Sequence, residues 1–206
     1  MPRPRSLTLD DIAAAALRVI DRDTLPALSM RTVAAELGVG TMSLYRYVED
    51  RDALERLVVD RVFATVETET PASMPWDEQA ACLAERIRQA VGVHPSIGPL
   101  LMTHRHASPG VQRSAEAFLR ILAEGGLAGR ELTIALRTLV SYLSGALQAQ
   151  HRAPLDGAGT KAISALPADE YPLLADAARI AEAIDPDEEF RGGIAILLRG
   201  LTPGRP

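Results

Sequence analysis

The sequence carries a single cysteine, Cys82, in 206 residues. One thiol excludes an internal disulfide and any zinc site built on cysteines. Aromatic residues make up only 4% of the chain, and lysine is nearly missing, Lys161 being alone among 22 basic residues. Arginine therefore supplies almost all the positive charge, which reads either as a compositional habit or as a functional choice. No apolar run approaches the roughly 20 residues that span a bilayer. The opening residues, Met1-Pro2-Arg3-Pro4-Arg5-Ser6, carry charge with no apolar segment behind them, unlike a secretory signal. The expectation is a cytoplasmic chain with no membrane partner. A Gly-rich phosphate loop, a G-x-S-x-G elbow, an H-E-x-x-H pair and a supported Cys–His arrangement are also missing. Nothing in the sequence points to an enzyme, a resident cofactor or a bound metal.

What is present is helical periodicity throughout, in a chain that is 47% hydrophobic and 24% charged. Apolar residues at i, i+4, i+7 and i+8 predict a first helix over 9–21, with Thr8 as its N-cap. Short helices follow over 29–37 and 41–48, separated by Gly38. Asp50 caps a fourth, carrying Leu54, Leu57, Val58 and Val62, with Val66 as a marginal member. Residues 68–75 read as a linker rich in helix breakers. Beyond them, helices are expected over 76–91, 108–124, 131–150, 171–184 and 187–201. Residues 92–102 form a broken region holding a short apolar piece, Leu100-Leu101-Met102, and 153–159 read as a mobile loop. The predicted fold is all-α, with a small module over residues 1–60 and a larger helical domain over 61–206.

The informative segment is 29–52, SMRTVAAELGVGTMSLYRYVEDRD. Two short helices meet at Ala34-x-x-x-Gly38, with Leu44 six residues on. A helix-turn-helix needs a small residue where its helices cross, a glycine at the turn and an apolar residue under the second helix. With Leu44 and Val48 facing inward, Thr41, Met42, Ser43, Tyr45, Arg46 and Tyr47 are left outside, with no carboxylate before Glu49. That surface suits a DNA major groove. Arg46 is the best candidate for reading a base, because arginine meets guanine O6 and N7 bidentately.

The segment resembles the tetracycline-repressor (TetR-type) family of bacterial regulators through Val33-Ala34-x-x-Leu37-Gly38-Val39, Ser43-Leu44-Tyr45-x-Tyr47-Val48 and Arg51-Asp52-x-Leu54. The specific likeness covers roughly residues 8 to 60. It implies an N-terminal three-helix DNA-binding module and a C-terminal helical domain for ligand binding and dimerisation. It places Thr41, Met42 and Ser43 at bases, Tyr45 and Tyr47 at phosphates and bases, and Ser29 and Arg31 at the backbone or a groove edge. Arg51 would neutralise a phosphate at the start of the fourth helix. Arg3 and Arg5 form either a minor-groove arm or a solvated tail. The partners implied are a double-stranded palindromic operator, a small-molecule effector and a second copy of the chain.

Net charge does not help this reading. The chain carries −5, and residues 1–62 hold nine Arg against ten Asp or Glu. A basic face must then come from segregation of Arg3, Arg5, Arg31, Arg46 and Arg51 away from the acids. In the larger domain, the helices over 131–150 and 191–201 are apolar enough to pair across a two-fold axis. His94, Met102, His104, Phe118 and Tyr142, near the broken region, are the candidate ligand contacts. His104-x-His106, with no carboxylate beside it in sequence, is expected to face solvent. An activator, or an adaptor whose helical half binds protein, is the alternative to a ligand-responsive repressor.

Overall fold

A computed structural model describes residues 7–152 and 154–201. Among them the chain forms eleven α-helices and two 3-10 turns, and no strand. The fold is all-α. Helix α1 (Leu9–Asp23) starts at a capping box: the Thr8 hydroxyl accepts from Asp11 N–H at 3.1 Å, and the Asp11 carboxylate accepts from Thr8 N–H at 3.0 Å. It buries Ile12, Ala16, Val19 and Ile20, as the spacing predicted. A 3-10 turn over Leu25–Ala27 leads to α2 (Met30–Glu36), α3 (Thr41–Leu44) and α4 (Arg51–Ala64). Leu28, Val33, Ala34, Leu44, Leu54 and Val58 close the core between them.

The second half comprises α5 (Trp76–Gly92), α6 (Gly98–His104), α7 (Pro109–Glu124), α8 (Gly129–Arg152), α9 (Ala158–Ser164), α10 (Pro172–Ala181) and α11 (Pro186–Gly200). Helix α4 packs on α1 and also on α5, α6 and α7, so one helix belongs to both halves. It runs through the boundary expected at residue 60. Gly110, at the start of α7, lies so close to α4 that a Cβ there would stand 2.6 Å from Phe63 Cβ. A single apolar cluster continues from Ile12 through Val58 and Val62 to Phe118 and Leu139. Helices α9 and α10 pack chiefly on one another, and the two buried alanines of α10, Ala175 and Ala178, lie outside that cluster.

Three elements differ from the expectations. Helix α3 stops at Leu44 instead of reaching Val48, and the next residues continue as turns, with Tyr47 and Val48 N–H both donating to the Leu44 carbonyl. Tyrosine and valine lose rotamer freedom in a helix, and Val48 must turn back to the core before Asp50 caps α4. The short apolar piece is a true helix, α6, opened by Gly98-Pro99, where proline's missing N–H costs nothing. Helix α9 begins at Ala158, inside the stretch read as a mobile loop.

Candidate nucleic-acid interface

The turn between α2 and α3 is fixed by its carbonyls. Val39 N–H donates to Ala34 O at 3.0 Å and Gly38 N–H to Ala35 O at 3.1 Å, while Gly38 sits at φ 67°. This is the double-bonded helix stop that needs a left-handed residue, so glycine is required there. Ala34 is 1% exposed and Leu44 fully buried, which sets α3 down on α2. Every side chain on the outer side of this unit is then presented. Met42 is 78% exposed, Tyr45 47% and Tyr47 41%; Arg31 and Arg46 are also exposed, and Thr41 and Ser43 are half-buried. Ser29 is taken up locally: its hydroxyl caps α2 by accepting from Thr32 N–H at 3.1 Å. Arg3 and Arg5 lie outside the described residues.

Most arginines of α1 and α4 pair with acids. Arg18 and Arg22 both bind the Glu36 carboxylate, at 2.8 and 2.9 Å. Arg56 pairs with Asp52, Arg61 with Asp10, and Arg51 with Glu55 at 2.8 Å. The two guanidiniums hold Glu36 below the usual carboxylate range through hydrogen bonds. Arg31 and Arg46 are the arginines of α1–α4 and their turns that pair with no acid among the described residues. Both stand on the helix-turn-helix. Arg51 also donates to the Leu25 carbonyl at 3.3 Å, so a phosphate approaching it competes with Glu55.

A second site lies where α4–α8 converge. Phe63, Ile87, Leu101, Val111, Ala115, Phe118 and Leu143 are among the residues lining an apolar cavity of about 80 Å³, with Arg105, Ser114 and Ser144 as its polar lining. A larger cleft of about 650 Å³ runs between Thr24–Pro26, the Pro95–Pro99 turn and the end of α8. The smaller one has almost wholly apolar walls, drawn from five helices.

Of the candidate ligand contacts, Phe118 lines the apolar cavity. His94 instead bonds the Asp21 carboxylate at 2.9 Å, Met102 is 43% exposed, and the Tyr142 hydroxyl donates to Phe190 O at 3.0 Å. His104 does not face solvent. It is 3% exposed, its Nε2 lies 2.9 Å from a Glu55 oxygen, and Asp52 is 3.7 Å away. The partner on α4, 49 positions earlier, is what the sequence spacing hid. His106 is exposed and accepts from Arg105 Nε–H at 3.0 Å. Asp52, Glu55 and His104 bring three ligand-type atoms within 4.8 Å, the set that could hold a cation. Both carboxylates already carry an arginine, so a cation would have to displace Arg51 and Arg56. The cluster joins α6 to α4.

A family model for the tetracycline repressor-like C-terminal domain matches residues 70–203. The chain belongs to the tetracycline-repressor family. It is a DNA-binding transcriptional regulator built on that family's plan. The chain is 36% identical over 152 residues to the HTH-type transcriptional repressor DrrR1 of Streptomyces coeruleorubidus, covering 72% of this chain and 55% of that one. The chain thus spans about half the length of that relative. Apo ActR from Streptomyces coelicolor superposes with a TM-score of 0.85 at 30% identity, covering 98% of this chain and 97% of ActR. ActR is also known in complex with actinorhodin, a structure 28% identical to this chain with a TM-score of 0.81. Regulators of the tetracycline-repressor family are transcription factors and not enzymes. No helix among the described residues is long and apolar enough to cross a membrane.

The sequence missed Arg105, Ser114 and Ser144 as cavity residues. Arg105 had a signal: residues 86–115 contain neither Asp nor Glu, so an arginine at their centre has no local acid. The two serines had none, since a hydroxyl on an otherwise apolar helix face reads like any surface position.

Proposed function

We propose that the chain is a ligand-responsive repressor, holding a palindromic operator as a homodimer and releasing it when a small molecule fills the cavity between α4 and α8. The carrying observation is that Arg31 and Arg46 stand unpaired among exposed Met42, Tyr45 and Tyr47, while the other described arginines of the N-terminal helices are neutralised. Free guanidiniums beside hydroxyl and aromatic groups meet phosphates and guanine edges. Thr41, Ser43, Ser29 and Arg51, with Arg3 and Arg5, complete the proposed contact set. No reaction is assigned to the chain, and its place is the cytoplasm with the chromosome. The repressor name of DrrR1 favours repression over activation, and the ligand complex of ActR favours a small molecule over a protein partner.

The coupling follows from volume and from His104. A cavity of about 80 Å³ is too small for an ordinary effector, which needs roughly 300 Å³ or more. In this reading, a ligand that fills it parts α6, α7 and α8. Leu101 and Arg105 of the α6 segment line the cavity while His104 beside them holds Glu55 of α4. Moving α6 pulls on α4, which packs on α1 and follows directly on the helix-turn-helix. The ligand shifts the equilibrium only by its preference for the wider state. The dimer reading draws on exposed Ile134 of α8 and Ile196 of α11, which are 52% and 65% exposed. Selection of duplexes from a random library tests the proposal. It should recover inverted repeats with half-sites about one helical turn apart, ~34 Å. Recovery of no sequence, or of unpaired single sites, would contradict it.

A further inference from the structure

Arg105 keeps unusual company for a half-buried arginine. Arg56 and Arg61 pair with Asp52 and Asp10, and Arg88 with Glu85 and Asp187. Arg86 donates to the carbonyls of Glu67 and Glu69 at 2.9 and 2.7 Å. Arg105 has the ring of His106 as its acceptor, at 3.0 Å, and pairs with no carboxylate among the described residues. A guanidinium offers five N–H donors in a fork shaped for a carboxylate. The N–H groups that His106 does not take are open to solvent, so a bound anion would meet them in water's place. The nearest acids in sequence are Glu85 and Glu116, well outside the turn that holds Arg105. Glu55 and Asp52, on the adjacent α4, are bound to His104, Arg51 and Arg56.

Arg105 lines the apolar cavity, beside walls of Phe63, Leu101, Phe118 and Leu143. The other polar groups there are two hydroxyls, and Ser114's already donates to Gly110 O at 3.2 Å. We infer that the cavity selects an apolar ligand bearing one anionic group, such as a carboxylate, sulfonate or ionised phenol, and that Arg105 receives that group. The inference rests on reading this cavity as the effector site. An anion moved into apolar surroundings is tolerated only where it is paired, and Arg105 is the one cation among the described residues of the lining. The walls take the ring or chain of the ligand; the guanidinium fixes which end enters toward α6. A neutral analogue of the same shape gains the walls alone.

Two dyes separate these terms, because 8-anilinonaphthalene-1-sulfonate and N-phenyl-1-naphthylamine share a skeleton and differ by the sulfonate. Fluorescence titration of the full chain should show tighter binding of the sulfonate. Arg105→Gln should weaken the sulfonate by about tenfold and leave the neutral dye unchanged, and Arg105→Lys should restore part of the difference. Ala115→Trp, which fills the cavity, should remove both dyes, with circular dichroism confirming the helical fold. If Arg105→Gln weakens neither dye, or both equally, while Ala115→Trp removes both, the anion assignment fails and the effector cavity stands. If neither dye binds, or both survive Ala115→Trp, the effector reading of this cavity fails and the inference falls with it.

Discussion

Arg31 and Arg46 are the guanidiniums that an N-terminal segment with more acids than arginines leaves without an acid partner among the described residues, and both stand on the helix-turn-helix. What matters near a phosphate is the charge left after internal pairing, and five arginines of α1 and α4 are engaged by Glu36, Glu55, Asp52, Asp10 and Asp23. Exposed pairs of this kind add little to stability; their effect here is on where free charge remains. Thr24 is the other residue with a consequence of its own. It ends α1 at φ 69° and ψ 168°, a region nearly reserved for glycine. Thr24→Gly should therefore raise stability by about 1 kcal/mol, read as a shifted urea midpoint, and a lowered midpoint would count against the strained backbone. At this scale the sequence was legible where a requirement is local. Gly38, Ala34 and Leu44 satisfy conditions a few residues apart, and each sits as expected. His104 was not legible, since what defines it is a carboxylate on α4, and of Arg105 the sequence showed only that it sits in a stretch without acids.

Between elements, the His104–Glu55 contact is the link from the cavity to the DNA-binding helices. A double-mutant cycle of His104→Ala and Glu55→Ala, measured by chemical denaturation, should give a coupling of about 1 kcal/mol. Additive losses would mean that the two side chains do not hold α6 to α4. A second link joins α5 to α11: Arg88 binds Glu85 at 2.6 Å and Asp187 at 2.9 Å, and lies 5.2 Å from the Phe190 ring centre. The Arg88 hydrogen bond holds the Glu85 carboxyl below its ordinary range, against the opposing effect of burial. A depressed folded pKa contributes stability that is present above the unfolded value, near ~4.3, and is lost as pH falls through the folded one. Thermal unfolding of Glu85→Gln should accordingly lose less than the native chain between about pH 5 and pH 3; parallel curves would contradict the Arg88–Glu85 pairing. The long helices were legible because their apolar faces repeat over many turns. Helix α9 was not, for Ala158-Gly159-Thr160-Lys161-Ala162-Ile163-Ser164 has no such face and is held mainly by α10. The early end of α3 was hidden likewise, because Val48 looks equally apolar at the end of a helix or folding back from one.

At the scale of the whole molecule, the shared helix α4 and continuous core make the chain one mechanical unit with two functional ends. The unmet surface lies elsewhere, on Ile134, Ile196 and the α10 residues Leu173, Leu174 and Ile180, the last three being 84%, 49% and 57% exposed. Scattered apolar exposure is ordinary, but a set spread over α8, α10 and α11 fits a protein interface. Ile196→Asp should convert a dimer to monomer in sedimentation velocity and weaken operator binding with it. An unchanged sedimentation coefficient would place the interface elsewhere. The central claim is that the unpaired arginines of the helix-turn-helix carry DNA recognition. It is tested most directly by fluorescence anisotropy on the library-selected duplex across a salt series, comparing Arg46→Ala with Arg113→Ala, an exposed arginine of α7. The account predicts that Arg46→Ala lowers affinity by about tenfold or more, that Arg113→Ala changes nothing, and that native binding weakens steeply with salt. Equal affinity of all three proteins, or binding indifferent to salt, would contradict it.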